Sequence, residues 1–534
     1  MTQEKDIINA QSSASHSAVL SVVVAAPVDG VYDYLAGPAL GAVRGVLVFV
    51  PFGGRILAGI VLGPAKGDIA AEKLRSIDRI VHLRPLPEPM VNFIERVANW
   101  TMAPVGAVVK MVVSQPSALV RPPQKKYFRH PSEIPPSARI TSARAKVLAY
   151  LRRVNNIPGA ELIAACGVGP AVLKGMVAQG LLEVESRSAY QPPPRPKQAM
   201  DLLTLTTEQR EAADYLVQAI GNGFKSILLD GVTGSGKTEV YFAAVEAAIA
   251  AGRQVLILLP EIALSAGWRQ RFEARFGVKP VEWHSDVSPG QKRATWRFVL
   301  EGEASVVVGA RSALFLPFHD LGLIVVDEEH EHAFKQEEQV IYQARDMAVL
   351  RAQLENVPII LASATPSLES WVNAGRTGLS ARYQYLALPN RVHGASLPTI
   401  ELVDLRANPP EPRRWLAPPL VSAIEQRLAA GEQSLLYLNR RGYAPLTLCG
   451  ACGTKLTCPN CDAWMVEHRL SGRMKCHHCG HESRPRNDCS ACGEKEQMRT
   501  CGPGVERLAE EVLLRFPEAR FAMMSSDKIG RAHV

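Results

Sequence analysis

The stretch Ser226-Ile-Leu-Leu-Asp-Gly231-Val-Thr-Gly-Ser-Gly236-Lys237-Thr238 joins an apolar run to a glycine-rich turn. A Gly-x-x-x-x-Gly-Lys-Thr pattern between a strand and a helix is typical of a phosphate-binding loop. Glycines let backbone N–H groups approach phosphates, Lys237 can reach the β- and γ-phosphates, and the Thr238 hydroxyl can bind Mg²⁺. The stretch therefore predicts an ATP site with Mg²⁺, whose candidate contacts are Gly231, Gly234, Ser235, Gly236, Lys237 and Thr238.

Apolar segments of strand length continue on both sides of this loop and alternate with longer helical stretches. The strand candidates are residues 226–229, 255–259, 305–308, 323–326 and 358–361. Later in the chain, further strands are expected at 433–438 and near 521–527. Continuous apolar strands that alternate with helices indicate a parallel sheet covered on both faces. We therefore expect an α/β multidomain protein with a parallel-sheet lobe that begins near residue 201.

A second acidic motif follows one of these strands in Leu323-Ile-Val-Val-Asp327-Glu328-Glu329-His330. The carboxyl ends of parallel strands are where open α/β sheets bind ligands. We expect Asp327 to hold Mg²⁺ and Glu328 to orient or deprotonate the attacking water. An acidic run after a strand is usually only a helix cap, but its combination with the phosphate-binding loop favours catalysis.

The charge of the chain is uneven. Lysine and arginine exceed aspartate and glutamate by 60 − 52 = +8, and residues 1–200 alone carry 23 − 13 = +10. This basic excess makes nucleic acid a candidate partner of the first 200 residues. No apolar run reaches the roughly 18 residues of a membrane span, so no membrane is expected. The apolar run at 18–28 follows net negative charge, which disfavours a secretory signal and favours a cytoplasmic protein.

Eight of the ten cysteines form four Cys-x-x-Cys pairs. This spacing lets two thiolates bind one tetrahedral metal ion, and a reducing compartment favours metal over disulfides. We predict two Zn²⁺ per chain in nested sites, with the inner pairs together and the outer pairs together. Two other pairings remain possible, and His477, His478 or His481 could replace a thiolate. The candidate ligands are Cys449, Cys452, Cys458, Cys461, Cys476, Cys479, Cys489 and Cys492.

Two smaller modules are expected before the parallel-sheet lobe. Strand-like residues 22–26, 46–50 and 56–62, with a turn at Gly53-Gly54, predict a β-rich module. Residues 141–186 follow a helix, helix-turn-helix, strand pattern, which suggests a winged helix. The basic stretch 121–129 between them is either a solvated linker or a DNA contact.

The Asp-Glu-Glu-His motif at 327–330 also matches the Asp-Glu-x-His signature of superfamily 2 helicases. Further segments resemble helicase motifs in the right order. Gln209 resembles the adenine-contacting glutamine, residues 260–262 and 309–312 with Arg311 resemble segments that grip single-stranded DNA, and 363–365 resembles the motif that couples hydrolysis to DNA movement.

The phrases at 231–241, 439–445 and 458–461, together with nested zinc sites, closely resemble the PriA family of bacterial replication-restart helicases. The resemblance implies an ATP-dependent 3′-to-5′ DNA helicase that recognises stalled or collapsed replication forks and initiates primosome assembly. It also implies single-stranded DNA-binding protein, primosome proteins and the replicative helicase loader as partners, in a nucleoid-associated location. The alternatives are another superfamily 2 DNA translocase or an ATP-gated DNA-binding adaptor without unwinding activity.

The same resemblance implies that the β-rich module captures the 3′ end of a nascent strand. The matching residues are Tyr32, Asp33, Gly53 and Arg75. It further implies an aromatic-rich loop at 334–336 and 342–346. Phe334 and Gln343 stand there where the family usually has tyrosine and histidine.

The resemblance also predicts the domain boundaries. We expect a 3′-end DNA-binding domain at 18–115, a winged helix at 136–188, helicase lobe 1 at 201–400, the start of lobe 2 at 401–448, a zinc-binding insertion at 449–501, and more of lobe 2 at 502–527. Family members continue beyond this point, so we expect a C-terminally truncated chain with a non-native tail at 528–534. Without the later arginine motif, we expect weak ATP binding and no unwinding.

Overall fold

The computed structural model describes most of the chain. The described residues are 18–37, 43–65, 69, 71–120, 122, 124–136, 138–154, 156–188, 190–197, 204–260, 266–392, 398–411, 414–438, 446–468, 472–496, 498–501 and 504–523. They form two compact units, residues 1–396 and 397–534.

The first unit begins with a six-stranded sheet in the order β5-β2-β1-β4-β3-β6. Its strands are β1 (Ala18–Val24), β2 (Tyr32–Ala36), β3 (Leu47–Phe52), β4 (Arg55–Pro64), β5 (Arg75–Ser76) and β6 (Arg79–Ile80). The turn Gly53-Gly54 joins β3 to β4, and both glycines have positive φ, which suits a tight hairpin. Helices α1 (Glu88–Thr101) and α2 (Val105–Val112) follow. The predicted β-rich module is confirmed.

A small helical module with its own core comes next. It contains β7 (Gln124–Arg129), α3 (Ser142–Arg153), β8 (Ile157–Pro158), α4 (Gly159–Cys166), α5 (Pro170–Ala178) and β9 (Glu183–Ser188). Strand β7 pairs along its whole length with β9. The structure thus extends this module to Gln124, which precedes the expected start at residue 136. The basic stretch therefore lies mainly in a sheet. The sequence did not predict this, because the partner strand β9 is far along the chain and a local pattern does not show such pairing.

The largest element of the first unit is a seven-stranded parallel sheet in the order β12-β13-β11-β14-β17-β10-β18. Its strands are β10 (Lys225–Gly231), β11 (Gln254–Leu258), β12 (Val281–Trp283), β13 (Val306–Gly309), β14 (Leu321–Asp327), β17 (Pro358–Ser363) and β18 (Gln384–Leu388). A short hairpin of β15 (Lys335–Gln336) and β16 (Tyr342–Gln343) lies outside this sheet. The strands of the sheet centre are fully buried, as the continuous apolar runs predicted.

Helix α6 (Thr207–Ala219) precedes the first of these strands, and α7 (Lys237–Ala250), α8 (Ala266–Phe276), α9 (Pro289–Leu300), α10 (Ala344–Glu355) and α11 (Leu368–Asn373) lie between them in the chain. Buried apolar side chains form two clusters, and the larger one continues from the parallel sheet into the N-terminal module. Trp296 of α9, which is fully buried, donates a hydrogen bond from its indole to the Val112 carbonyl at 2.8 Å. The N-terminal module and the parallel-sheet lobe therefore share one hydrophobic core.

The second unit contains α12 (Pro418–Ala429), β19 (Leu446–Cys449), β20 (Met465–His468), β21 (Arg473–Cys476), β22 (Glu482–Ser483), β23 (Met498–Cys501) and α13 (Val505–Arg515). Strand β19 pairs with β23, and β20, β21 and β22 form a second sheet. The strand predicted at 433–438 is wrong, since these residues pair with no described strand and Leu435 is 91% exposed. Residues 521–523, the described part of a predicted strand near 521–527, are also outside any strand.

In the described part of the chain, no single helix is long and apolar enough to cross a membrane, although the sharply bent pair α4 and α5 meets the length and composition criteria together.

Candidate nucleotide, DNA and metal sites

The glycine-rich loop predicted to bind phosphate lies between β10 and α7, the strand and helix that the motif requires. Gly234 and Gly236 have φ of +83° and +81°, a backbone conformation that favours glycine. A Cβ atom on Gly231 would lie 2.6 Å from the Ser235 hydroxyl and 3.0 Å from the Lys237 side chain, so a larger residue would displace both. Lys237 is almost fully buried and donates from Nζ to the Gly231 carbonyl at 2.7 Å. Its ammonium group is thus held against the loop that would surround the phosphates.

Gln209 of α6 bonds to the backbone of this loop. Its Nε2 donates to the Ser235 carbonyl at 2.7 Å, and its Oε1 accepts from the Thr206 backbone at 2.9 Å. The Thr206 hydroxyl accepts in turn from the Gln209 N–H, which completes a capping box. The amide expected to contact adenine therefore also fixes the start of α6 against the loop.

Asp327 ends β14 and is nearly buried, while β10 lies two strands away in the sheet. Its Oδ2 accepts from the Tyr241 hydroxyl at 2.9 Å, and its Oδ1 accepts from the Glu328 N–H at 3.0 Å. Burial raises the pKa of Asp327 to about 6, although the Tyr241 hydrogen bond and the Lys237 charge lower it. The carboxylate faces α7, where the candidate Mg²⁺ ligand Thr238 lies.

Glu328 has a left-handed backbone, with φ of +51°, and a partly exposed side chain. Its carboxylate lies 3.7 Å from Nδ1 of His330, and the same nitrogen lies 2.8 Å from the Ser363 hydroxyl. The Ser363 hydroxyl also accepts from the Thr365 N–H at 3.0 Å. The structure thus connects the acidic motif with the 363–365 motif through one imidazole.

Glu329 forms a buried network that sequence reasoning did not single out. Its side chain is fully buried and accepts from the hydroxyls of Ser367 and Ser370 at 2.9 Å each. Arg345, at the start of α10, lies 3.3 Å from the same carboxylate. The sequence contains one available signal, a third acidic residue directly after a buried strand.

Arg311 was expected to grip single-stranded DNA. The structure shows its guanidinium donating to the carbonyls of Ala333 and Lys335, at 3.2 and 2.5 Å. These carbonyls belong to the segment expected to be an aromatic-rich loop. Phe334 and Tyr342 of that segment are buried, with Tyr342 edge-on to Phe315 at 5.2 Å. Arg311 therefore holds this segment against the lobe in the structure.

The expected 3′-end residues lie on neighbouring strands of the N-terminal sheet. Tyr32 and Asp33 are adjacent in β2, Arg75 is in the paired β5, and the Tyr32 ring packs edge-on against Phe52, next to Gly53. Side chains alternate along a strand, so Asp33 faces away from Tyr32. Its carboxylate accepts from the Ser21 hydroxyl at 2.8 Å on β1. The structure thus places Tyr32 next to the Phe52-Gly53 turn, pairs Arg75 with Tyr34 of the same strand, and directs Asp33 to the opposite face.

The eight paired cysteines form two groups, in the nested arrangement favoured from sequence. Cys449, Cys452, Cys489 and Cys492 form the outer group, and Cys458, Cys461, Cys476 and Cys479 form the inner group. Facing sulfurs are 3.7 Å apart in the outer group and 3.4–3.5 Å apart in the inner group. A tetrahedral zinc ion with 2.3 Å bonds would hold sulfurs about 3.8 Å apart, so both groups fit this metal. His477, His478 and His481 are outside both groups.

Each cysteine pair is folded into the same tight turn. The residues after the second cysteines, Gly453, Asp462, Gly480 and Gly493, all have φ between +58° and +77°. Each of them donates its N–H to the carbonyl of the first cysteine of its pair, at 2.9–3.1 Å. Backbone N–H groups also point at sulfur, and those of Cys479 and His478 help to lower the pKa of Cys476 to about 6. Donation from these backbone N–H groups stabilises thiolate, whereas burial and the neighbouring thiols raise the pKa of Cys458, Cys461 and Cys492.

Several predicted segments lie partly or wholly outside the described residues. They include 260–262, of which only Pro260 is described, 439–445, the end of the 502–527 segment and the tail at 528–534.

Comparison with known proteins agrees with this architecture. Residues 206–373 match the DEAD/DEAH box helicase family model. Residues 21–114 match the model of the PriA 3′ DNA-binding domain, and 458–484 match that of the PriA DNA helicase Cys-rich region. The Replication restart protein PriA of Haemophilus influenzae is 32% identical over 525 residues, which cover 96% of this chain and 71% of that protein. The chain belongs to the PriA family.

Other PriA relatives match over shorter stretches. Those of Rickettsia prowazekii and Bacillus subtilis are 45% and 39% identical over 323 and 379 residues. These matches cover 60% and 70% of this chain but 49% and 46% of the relatives. The chain spans about half the length of these PriA relatives.

Among solved structures, the DUF1998 helicase MrfA and the Pyrococcus furiosus Hef helicase domain each share 20% identity over 34% of this chain, with TM-scores of 0.26 and 0.25. The matches cover 30% and 37% of those chains, and scores this low carry no weight for the fold.

Proposed function

We propose that this protein acts as an ATP-dependent 3′-to-5′ DNA helicase at stalled or collapsed replication forks, where it initiates primosome assembly. The observation that carries the proposal is that the buried Asp327 carboxylate bonds to Tyr241 of α7, the helix that begins at Lys237 and the glycine-rich loop. This arrangement occurs in one chain with a 3′ DNA-binding domain and a Cys-rich region of the PriA type.

The nucleotide would be held mainly by α7 and its loop. Lys237 would exchange the Gly231 carbonyl for phosphate oxygens, and backbone N–H groups of the loop would surround the remaining charge. Asp327 and Thr238 would hold Mg²⁺, which neutralises charge on the phosphates. Glu328 would accept a proton from the attacking water. His330 contacts both Glu328 and Ser363, so a shift of the Glu328 carboxylate would also move the contact with the 363–365 motif.

We also propose one Zn²⁺ in each cysteine group, which makes two per chain. The support is the sulfur spacing and the turn after each pair. Four thiolates with no further ligand form a closed site, and such a site is structural rather than catalytic.

For the N-terminal domain, we propose that Tyr32, Asp33, Gly53 and Arg75 bind the 3′ end of a nascent strand at the start of β2, where the DNA would pass around the strand end. Tyr32, Gly53 and Arg75 would bind from one face, and Asp33 would exchange its Ser21 bond for the terminal 3′-hydroxyl on the other. An aromatic ring can stack on a terminal base, and a carboxylate can accept a hydrogen bond from the terminal 3′-hydroxyl. Single-stranded DNA-binding protein, primosome proteins and the helicase loader are the proposed protein partners, in a bacterial cytoplasmic setting.

Unwinding assays with tailed duplexes test the helicase proposal. Residues 1–534 should bind ATP weakly and bind forks without separating a duplex. A protein that joins them to the remaining length of a PriA relative should separate a duplex that carries a 3′ single-stranded tail, but not one with a 5′ tail, and the following outcomes refer to this longer protein. Lys237→Ala should abolish separation and keep fork binding. Binding of ATP and forks without separation would favour the ATP-gated adaptor instead. A protein that binds no nucleotide would overturn both.

A further inference from the structure

A buried hydrogen-bond chain leads from α8 to the carboxylate that ends β14. The indole Nε1 of Trp268 donates to the Tyr241 hydroxyl at 2.8 Å, and this hydroxyl lies 2.9 Å from Oδ2 of Asp327. The three residues lie on α8, α7 and β14 and are far apart in sequence. A local sequence pattern would therefore not show that these three residues contact one another.

The direction of this chain follows from the chemistry of its groups. An indole N–H can only donate, so the Tyr241 oxygen accepts from Trp268. The single hydroxyl hydrogen of Tyr241 is then available for Asp327, whose ionised carboxylate can only accept. Trp268 thereby fixes the direction in which Tyr241 donates.

Packing around these hydrogen bonds holds Trp268 and Tyr241 in place. Tyr241 is fully buried and Trp268 is 3% exposed. The Trp268 ring stacks on Phe272 at 5.5 Å and meets Phe242 edge-on at 5.6 Å. Close packing of four aromatic residues leaves the Tyr241 hydroxyl little freedom to turn elsewhere.

We propose that Tyr241 is a positioning residue for the Mg²⁺ ligand Asp327, and that Trp268 acts only through Tyr241. This inference rests on the proposed binding of Mg-ATP. Tyr241 fixes one carboxylate oxygen while the Glu328 N–H fixes the other, so the carboxylate cannot rotate about its bond to Cβ. Thr238, the other candidate Mg²⁺ ligand, lies three residues before Tyr241 on α7 and therefore shares its helix face.

The test measures binding of a fluorescent ATP analogue across a Mg²⁺ titration and in EDTA. Tyr241→Phe removes one oxygen and keeps the ring. It should raise the Mg²⁺ concentration for half-maximal stimulation of binding by roughly tenfold, since a hydrogen bond to a charged group is lost. Affinity in EDTA should stay within about twofold, because the loop contacts to the phosphates are unchanged. A purely structural defect would weaken both.

Trp268→Phe should shift the Mg²⁺ dependence in the same direction and by less. In the Tyr241→Phe background it should add nothing, and an additive effect would overturn the claim that Trp268 acts through Tyr241. The matched control is Tyr34→Phe, which loses a buried hydroxyl that donates to the Pro51 carbonyl at 3.1 Å in the N-terminal domain. It should leave the Mg²⁺ dependence unchanged.

The outcomes separate this inference from the proposed function. A wild-type protein without Mg²⁺-stimulated nucleotide binding would contradict the proposed function itself. Wild-type stimulation that Tyr241→Phe leaves unchanged would overturn the positioning role alone. If Tyr241→Phe fails to fold by circular dichroism, Trp268→Phe carries the test with the same two outcomes.

Discussion

At the scale of single residues, Asp327 is a buried acid whose pKa differs clearly from its value in water. Burial raises its pKa from 3.8 to about 6, against the lowering effects of Tyr241 and Lys237. A carboxyl group with a higher pKa in the folded state binds its proton more tightly there than in the unfolded chain. Its favourable contribution is therefore complete at low pH and is lost as the pH rises through about 6.

This linkage predicts that Asp327→Asn stabilises the metal-free protein at pH 8. The neutral amide avoids the cost of a buried charge, which is at most about 3 kcal/mol from the difference between the two pKa values. Urea unfolding in EDTA should show a gain at pH 8 that shrinks towards pH 4.5. Glu328→Gln, which changes a partly exposed carboxylate, is the control and should give no comparable gain. Equal stability of Asp327→Asn and wild type at pH 8 would contradict the prediction.

Residues in this site differ in how far the sequence reveals them. Lys237 and Asp327 could be predicted because each belongs to a short motif that directly follows an apolar strand, and both the motif and the apolar run are visible in the sequence. Tyr241, Trp268 and Glu329 could not, since their roles depend on hydrogen bonds between elements that only the folded sheet brings together. Arg311 was recognised, but its binding of two loop carbonyls needed the structure.

At the scale of elements, the cysteine turns depend on metal for their stability. Among the described residues, the larger side chains around the inner group are the buried Met465 and Met474 and the partly buried Leu456, which form too small a core to fold alone. We predict two zinc ions per chain by elemental analysis. Cys458→Ser should reduce this to one, because a tetrahedral site with three thiolates loses most of its affinity. Cys166→Ser, outside both groups, should keep two.

The N-terminal sheet supports a prediction about strand ends. Forks with a 3′-hydroxyl on the leading strand should bind roughly tenfold more tightly than forks with a 3′-phosphate, because the phosphate repels Asp33 and removes its donor. Asp33→Ala should abolish this preference in fluorescence anisotropy titrations. Asp78→Ala, at an exposed aspartate of the same domain, should preserve it. Equal binding of the two forks by the wild-type protein would mean that this sheet does not read strand ends.

Elements whose partners are distant in sequence were the hardest to predict. Strand β7 was placed with a linker, although it pairs with β9 near the other end of the module. Residues 433–438 have strand-like composition but pair with no described strand. Composition reports the preference of a segment for extended backbone, whereas a strand also needs a neighbour that supplies its hydrogen bonds.

At the scale of the first unit, the N-terminal domain and the parallel-sheet lobe share a core. Arg351 of α10 is fully buried, donates to the Leu314 carbonyl and lies over the Phe93 ring of α1. Together with the Trp296 bond to Val112, this contact predicts that the two modules unfold as one cooperative unit.

Trp296→Phe should destabilise that unit by about 1–3 kcal/mol, because the buried Val112 carbonyl loses its donor. Chemical denaturation followed by circular dichroism measures this loss. Trp100→Phe, at a tryptophan that is 68% exposed, should be nearly neutral. Separate transitions for the two modules in the wild-type protein would contradict the shared core.

The most direct test of the whole account is the affinity for ATPγS with Mg²⁺, measured by calorimetry on wild type and Lys237→Ala. The account predicts one binding site per chain in the wild-type protein and at least a roughly tenfold loss in Lys237→Ala, since the lysine is the one ammonium group held in the loop. Equal affinities of the two proteins, or no binding by the wild type, would contradict the assignment of residues 231–238 as a nucleotide site.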